Sequence, residues 1–204
     1  MIAFFKRYSY DCVRMMLNQF AISMFGFALA MTAVKAESDA LLMWSSIAAI
    51  VFYLVLTYST AWRVGSSDRL SIRYGKIPFN PVCGLLISLV ANAVNFLLAI
   101  LITIGFLGEI EILKTISSAI MLLIEGMYQG VLATVYVGGL ALNKLWWPYL
   151  LLPVPALITS LLGYIAGAKE FRIIKAGMSD LPESDRPTRK EMRERKEQDK
   201  KDDR

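Results

Sequence analysis

One carboxylate interrupts the apolar run of residues 115–143: Glu125, followed at once by Gly126, with Gln129 and Gly130 one turn further on. A carboxylate at membrane depth costs about 2.5–3.5 kcal/mol on insertion scales, so its default reading is a working residue that meets an ion, a proton or a polar ligand. The competing reading makes Glu125 a stitch in a broken helix, bonded to the amides around Gly126 and Gly130 or to a neighbouring Asn or Gln. Asn92 and Asn95 are three residues apart in an earlier apolar block and share one helix face. With Glu125 and Gln129 they form the candidate polar or ion site. Amides in membrane helices usually bond to a neighbouring helix for about 1 kcal/mol each, and for the two asparagines that packing role is favoured over a cavity lining. Asn18 and Gln19, in the first apolar block, are of the same kind.

The chemistry that is missing narrows the function. The chain has no histidine, which removes His-ligated metal sites and Ser-His or Cys-His nucleophile pairs. No apolar block contains an aspartate, so the paired carboxylates of intramembrane proteolysis are absent. Asp11, Asp39 and Asp68 stand alone in the sequence, without the clustered acids that lipid phosphate chemistry asks for. No catalytic set, metal site or cofactor is expected, and an enzyme is the least supported class. Cys12 and Cys83 form no C-x-x-C and read as reduced structural thiols.

The elements that must hold these residues are membrane helices. Hydrophobic residues make up 56% of the 204, the mean hydropathy is +0.50, and the apolar residues stand in blocks of spanning length with charge between them. An interfacial N-terminus over residues 1–14, with Lys6 and Arg7 among aromatics, leads to spans at about 15–34, 41–62, 82–107 and 149–168. The first apolar block is longer than the 7–15 residues of a cleavable signal, so an uncleaved span is expected. Trp44, Trp62, Trp146 and Trp147 fall where aromatic belts would lie, and Pro148 suits a first helical turn.

Charge sorting sets the orientation. Lys6, Arg7 and Arg14 precede the first span, and Arg63, Arg69, Arg73 and Lys76 fill the only long internal loop, residues 63–81. The short connections near residues 35–39 and 108–114 carry two acids each. The N-terminus and the basic loop are therefore expected in the cytoplasm, at the plasma membrane. The same rule wants Lys169, Arg172 and Lys175 inside, which requires an even number of spans. The expected fold is thus an all-α, polytopic transmembrane helical bundle of four spans, with residues 115–143 as a re-entrant hairpin returning near Glu125 and Gly130. Five spans, with that run crossing once, is the alternative.

The remaining motifs concern contact. Gly163-x-x-x-Gly167, with Ser160 and Ala156 before it, lets another helix approach closely, and Gly126-x-x-x-Gly130 repeats the spacing. Packing within the chain is favoured over a homo-oligomer seam. Arg63, Arg69, Arg73 and Lys76 could meet lipid headgroups or an acidic partner, although a solvated loop is the simpler account. A strand or hairpin fits the alternation over residues 69–77. The tail, residues 169–204, has 12 basic against 10 acidic side chains, which argues against nucleic acid and for a solvated, partly helical extension. These features fit best a non-catalytic accessory or scaffold component of a membrane complex, in contact with the bilayer and another membrane protein. The alternative is a small solute or ion transporter, or a substrate-binding subunit, that uses Glu125 in a discontinuous helix.

Overall fold

The aromatic and basic residues at the N-terminus are the first turns of a long helix. A computed structural model describes residues 2–169, and its first helix, α1, is Ile2–Lys35, 34 residues without a break. At 1.5 Å per residue it is about 51 Å long, well beyond the roughly 30 Å of a hydrocarbon core. No proline and a single glycine, Gly26, stand in it, so nothing in the sequence stops the helix at residue 14. The interfacial stretch expected over 1–14 is therefore continuous with the first span.

The second helix, α2, is Asp39–Arg73. The Ser38 side chain accepts from the Leu41 N–H (3.3 Å), and Asp39 in the first turn suits the positive end of the helix dipole. The helix then runs on through the basic stretch. The long loop expected over 63–81 shrinks to residues 74–81, and the strand or hairpin considered at 69–77 does not form. Between Asp39 and Arg73 there is no proline and the only glycine is Gly65, which packs against α8. The first true stop is Gly75, at φ +68, with Pro78 and Pro81 beyond it.

The third apolar block is two helices, α3 (Val82–Ala91) and α4 (Ala93–Leu107), bent by 61° at Asn92. Asn92 donates from its side-chain nitrogen to the Ser88 carbonyl oxygen at 2.9 Å, and its backbone N–H uses the same oxygen. Such back-bonding bends helices without proline. The fourth run is also divided. Helix α5 (Glu111–Ile124) ends at Glu125, a 3-10 turn covers Gly126–Tyr128, and α6 (Gln129–Thr134) follows at 90° to α5.

A two-residue antiparallel hairpin then pairs β1 (Tyr136–Val137) with β2 (Leu140–Ala141). Its turn is Gly138-Gly139, both at positive φ (62° and 82°), as a two-residue hairpin loop of this kind requires. After a 3-10 turn at Leu142–Lys144 come α7 (Pro148–Leu151) and α8 (Val154–Ala168), separated by Pro153. Among the described residues three stretches are long and apolar enough to cross a membrane, Phe4–Lys35, Asp39–Arg73 and Pro148–Ala168. The number rises to five if each bent pair is one span.

Small residues bring α8 onto α2. A side chain at Gly163 would meet the Tyr58 carbonyl, and one at Gly167 the Trp62 carbonyl. Ser160 donates to the Gly84 carbonyl of α3 at 2.7 Å. Besides a small cluster of Ala30, Ala33 and Leu42 near the α1–α2 connection, the buried apolar residues form two larger ones. One cluster, around Ile22, Tyr53, Ile102, Met121, Met127 and Tyr149, surrounds the break after α5. The other, around Tyr8, Cys12, Met15, Cys83, Ile87 and Tyr164, closes the end where α1 begins, and both cysteines there are free thiols. Large apolar side chains such as Phe20, Phe52, Leu97, Ile120 and Leu162 face outward, as lipid-facing positions do. Arg172, Lys175 and the charged tail lie outside the described residues.

Candidate functional site

Breaking a helix in an apolar setting frees backbone carbonyls, and each must find a donor. Here α1 and α2 supply them. Ser23 donates to the Ile124 carbonyl at 2.5 Å. Ser46 donates to the Met127 carbonyl at 2.5 Å and accepts from the Val131 N–H at 3.3 Å. The approach is close because Gly126 and Gly130 have no side chains: a Cβ at Gly126 would strike Ser23 and Phe27 of α1, and one at Gly130 would strike Leu42 and Ser46 of α2. The two glycines of the second small-residue motif therefore seat the broken run against α1 and α2.

Glu125 lies at the break itself, 3% exposed. Its Oε1 accepts from Gln19 Nε2 of α1 at 3.1 Å and from Asn95 Nδ2 of α4 at 2.6 Å. Asn95 also donates to Asn92 Oδ1 at 2.9 Å, and Asn92 is held in turn by Ser88. The three polar residues Asn92, Asn95 and Glu125 thus form one hydrogen-bonded chain that ties the bend of α3–α4 to the end of α5. Gln19 lies half-way along α1, so the carboxylate sits at the middle level of that helix. The phenols of Tyr53 and Tyr128 lie within electrostatic reach of it.

The carboxylate is only half satisfied. Oε2 has no hydrogen-bond partner among the described residues, and neither do the Tyr128 hydroxyl and Asn143 Oδ1. Glu125 also lines a cavity of about 370 Å³ together with Gln129, Asn143, Tyr149, Lys114 and Lys144, with Phe106, Met121, Leu132 and Leu152 among its apolar walls. Gln129 is half-buried there. Lys114 is 3.5 Å from Glu111 and lies over the Phe106 ring, and Lys144 is exposed.

A second polar group lies at the start of α1. Asp68, 2% exposed, accepts from Arg7 at 2.5 Å, from the Tyr8 hydroxyl at 2.6 Å and from the Tyr164 hydroxyl at 3.0 Å. Arg63 pairs with Asp11 at 2.9 Å. Asp11 and Asp68, isolated in the sequence, are thus each paired with an arginine. The four charged residues line a cavity of about 340 Å³ with Tyr8, Tyr10 and Ser67. Arg63, expected in a loop, stands on α2, half-exposed and paired to Asp11 of α1. Arg69 is half-buried near the end of α2, and Arg73 and Lys76 are exposed.

Sequence reasoning missed Ser23 and Ser46 as partners of the break, Asp68 as a buried acceptor, and the hairpin. Only the hairpin carried a local signal, Gly138-Gly139 after the β-favouring pair Tyr136-Val137. Among the described residues no group of three or more His, Cys, Asp or Glu could hold a metal ion. Comparison with protein-family models, curated proteins and solved structures found no match to this chain.

Proposed function

We propose that this membrane protein binds a small polar solute in the cavity that ends at Glu125, as a transporter or a substrate-binding subunit. The observation that carries the reading is the unpartnered Glu125 Oε2, buried at mid-helix depth on a residue that lines a cavity of about 370 Å³. A structural stitch would use both carboxylate oxygens, because an unsatisfied buried acceptor costs about 1–3 kcal/mol. Buried polar groups converging on a partly apolar cavity are the usual marks of a small-molecule site, and broken membrane helices commonly build them. An accessory or scaffold role, which the sequence favoured by elimination, leaves the cavity and the polar chain without use.

The topology that goes with this reading has four crossings, with residues 111–144 entering and leaving from one side. Support comes from neighbours along the run. Glu125 touches Gln19 at the middle of α1, Gly126 lies against Ser23 and Phe27, Gly130 against Leu42, and Ala133 packs with Ala30 and Ala33. The chain therefore turns back toward the α1–α2 connection. By charge sorting that side is external, so the cavity opens outward.

The test is access from water. A cysteine at Gln129 should react with a small, membrane-impermeant zwitterionic thiol reagent added outside, while a cysteine at the lipid-facing Leu97 should not. An unreactive Gln129→Cys in correctly folded protein would overturn the reading.

A further inference from the structure

We infer that the solute is an elongated zwitterion that enters ammonium first, with its acidic end held at the lysine-bearing mouth. This rests on the solute-site reading above and names its ligand class. The first observation is the sign of what is missing. Two of the cavity's lining residues, Glu125 and Asn143, carry unpartnered buried atoms; Asn143 Oδ1 is an acceptor, and Glu125 Oε2 is one whenever the carboxyl is ionised. The absent partner is therefore a donor of protons.

The second observation is charge. The side chains that hydrogen-bond Glu125 are the neutral amides of Gln19 and Asn95, and neither basic residue lining the cavity bonds to it. Lys114 lies eleven residues earlier on α5, about 16 Å of helix rise away, and is engaged by Glu111 and the Phe106 ring. A buried carboxylate keeps its charge only with a partner, and an ammonium group supplies both the counter-charge and the donors.

The third observation is polarity along the cavity. Glu125 is buried at the break, Lys114 stands about 16 Å of helix rise from it, Lys144 is exposed, and Met121, Leu132 and Leu152 line the same cavity. A simple amine would be repelled at the mouth, and a simple acid would be repelled at the floor. A molecule with both charges at the two ends of an apolar chain matches the whole length. An α-amino acid, whose charges share one carbon, cannot reach both ends.

Binding of 6-aminohexanoate, hexylamine and hexanoate to the purified full chain, measured by calorimetry, tests this. We expect 6-aminohexanoate to bind tightest, hexylamine at least tenfold more weakly and hexanoate not at all. Lys144→Ala should weaken 6-aminohexanoate several-fold and, by removing a repelling charge, strengthen hexylamine. Glu125→Gln should lower 6-aminohexanoate affinity at least tenfold. Asn143→Ala, at a half-buried position outside the helix packing, gives the same readout at several-fold if Glu125→Gln does not fold. Hexanoate binding as well as 6-aminohexanoate, or Glu125→Gln and Asn143→Ala both binding like the parent, would overturn the inference. So would failure of all three probes on protein whose Gln129→Cys is modified from water, while the solute site would stand; an unreactive Gln129→Cys removes the site itself.

Discussion

Asn95 donates to Glu125 Oε1 over 2.6 Å, and this one contact joins the places where two helices give way. Asn95 follows the 61° bend at Asn92, and Glu125 ends α5 at a 90° turn. Hydrogen bonds to a charged group are worth about 1.5–3 kcal/mol, and interhelical bonds in membrane proteins often measure less. Asn95→Ala is therefore expected to lower the stability of detergent-solubilised protein by about 1–2 kcal/mol. In a double-mutant cycle with Glu125→Gln the two losses should not add. Additive losses in the unfolding free energies would mean that the bend and the break are energetically independent.

Ser46 serves the break twice, donating to the Met127 carbonyl and accepting from the Val131 N–H, whereas Ser23 makes a single bond to the Ile124 carbonyl. Ser46→Ala should cost more than Ser23→Ala, about 2–3 against about 1–2 kcal/mol, since each leaves backbone groups unpaired in an apolar surround. Thermal unfolding of the two variants decides the order. Equal midpoints would mean that the Val131 bond contributes nothing.

Why the break was legible and its partners were not follows from these residues. Glu125-Gly126 inside an apolar run is a local irregularity, and the spacing of Asn92 and Asn95 is local too. The serines are single hydroxyls in long apolar blocks, and nothing near Ser23 or Ser46 marks which carbonyl each will meet more than 80 residues away. Asp68 misled for the same reason. Within Gly65-Ser-Ser-Asp68 it reads as loop, but Arg7, Tyr8 and Tyr164 close over it and the helix continues past it. Long-range satisfaction of one carboxylate overrides a locally polar pattern.

That carboxylate gives a third expectation. Asp68→Asn keeps the shape but leaves Arg7 without its charge partner, with Asp68 itself 3% exposed and Arg7 39%. Removing one member of a fully buried pair costs about 3–5 kcal/mol, and the exposure of Arg7 reduces this to about 1–3 kcal/mol. Asp11→Asn, whose partner Arg63 is 45% exposed, should cost under about 1 kcal/mol. Chemical denaturation of both variants compares them directly, and an Asp11→Asn loss as large as that of Asp68→Asn would refute the ranking.

Two glycines separate packing from backbone strain. A methyl at Gly167 would press on the Trp62 carbonyl, while Gly75 has open space around its Cβ position but a φ of +68. Gly75→Ala should cost about 1 kcal/mol through strain alone. Gly167→Ala must push α8 off α2, which overpacking data put at about 1–3 kcal/mol, and Gly167→Leu should abolish folded protein. If Gly167→Leu gives normal yields by fluorescence-detected size exclusion, the α2–α8 contact is not what holds this helix.

Arg7 near the start of the described chain and Tyr164 near its end bond the same carboxylate, which bears on topology. In the proposed topology of four crossings, with residues 111–144 turning back, the start of α1 and the end of α8 lie on one face, where both reach Asp68; five crossings would place them on opposite faces. Reporter fusions after Arg204, one active only inside the cell and one only outside, are expected to report the tail on the same side as the N-terminus. Activity of the external reporter alone would require an odd number of crossings. It would undo both the outward-opening cavity and the sharing of Asp68 by α1 and α8.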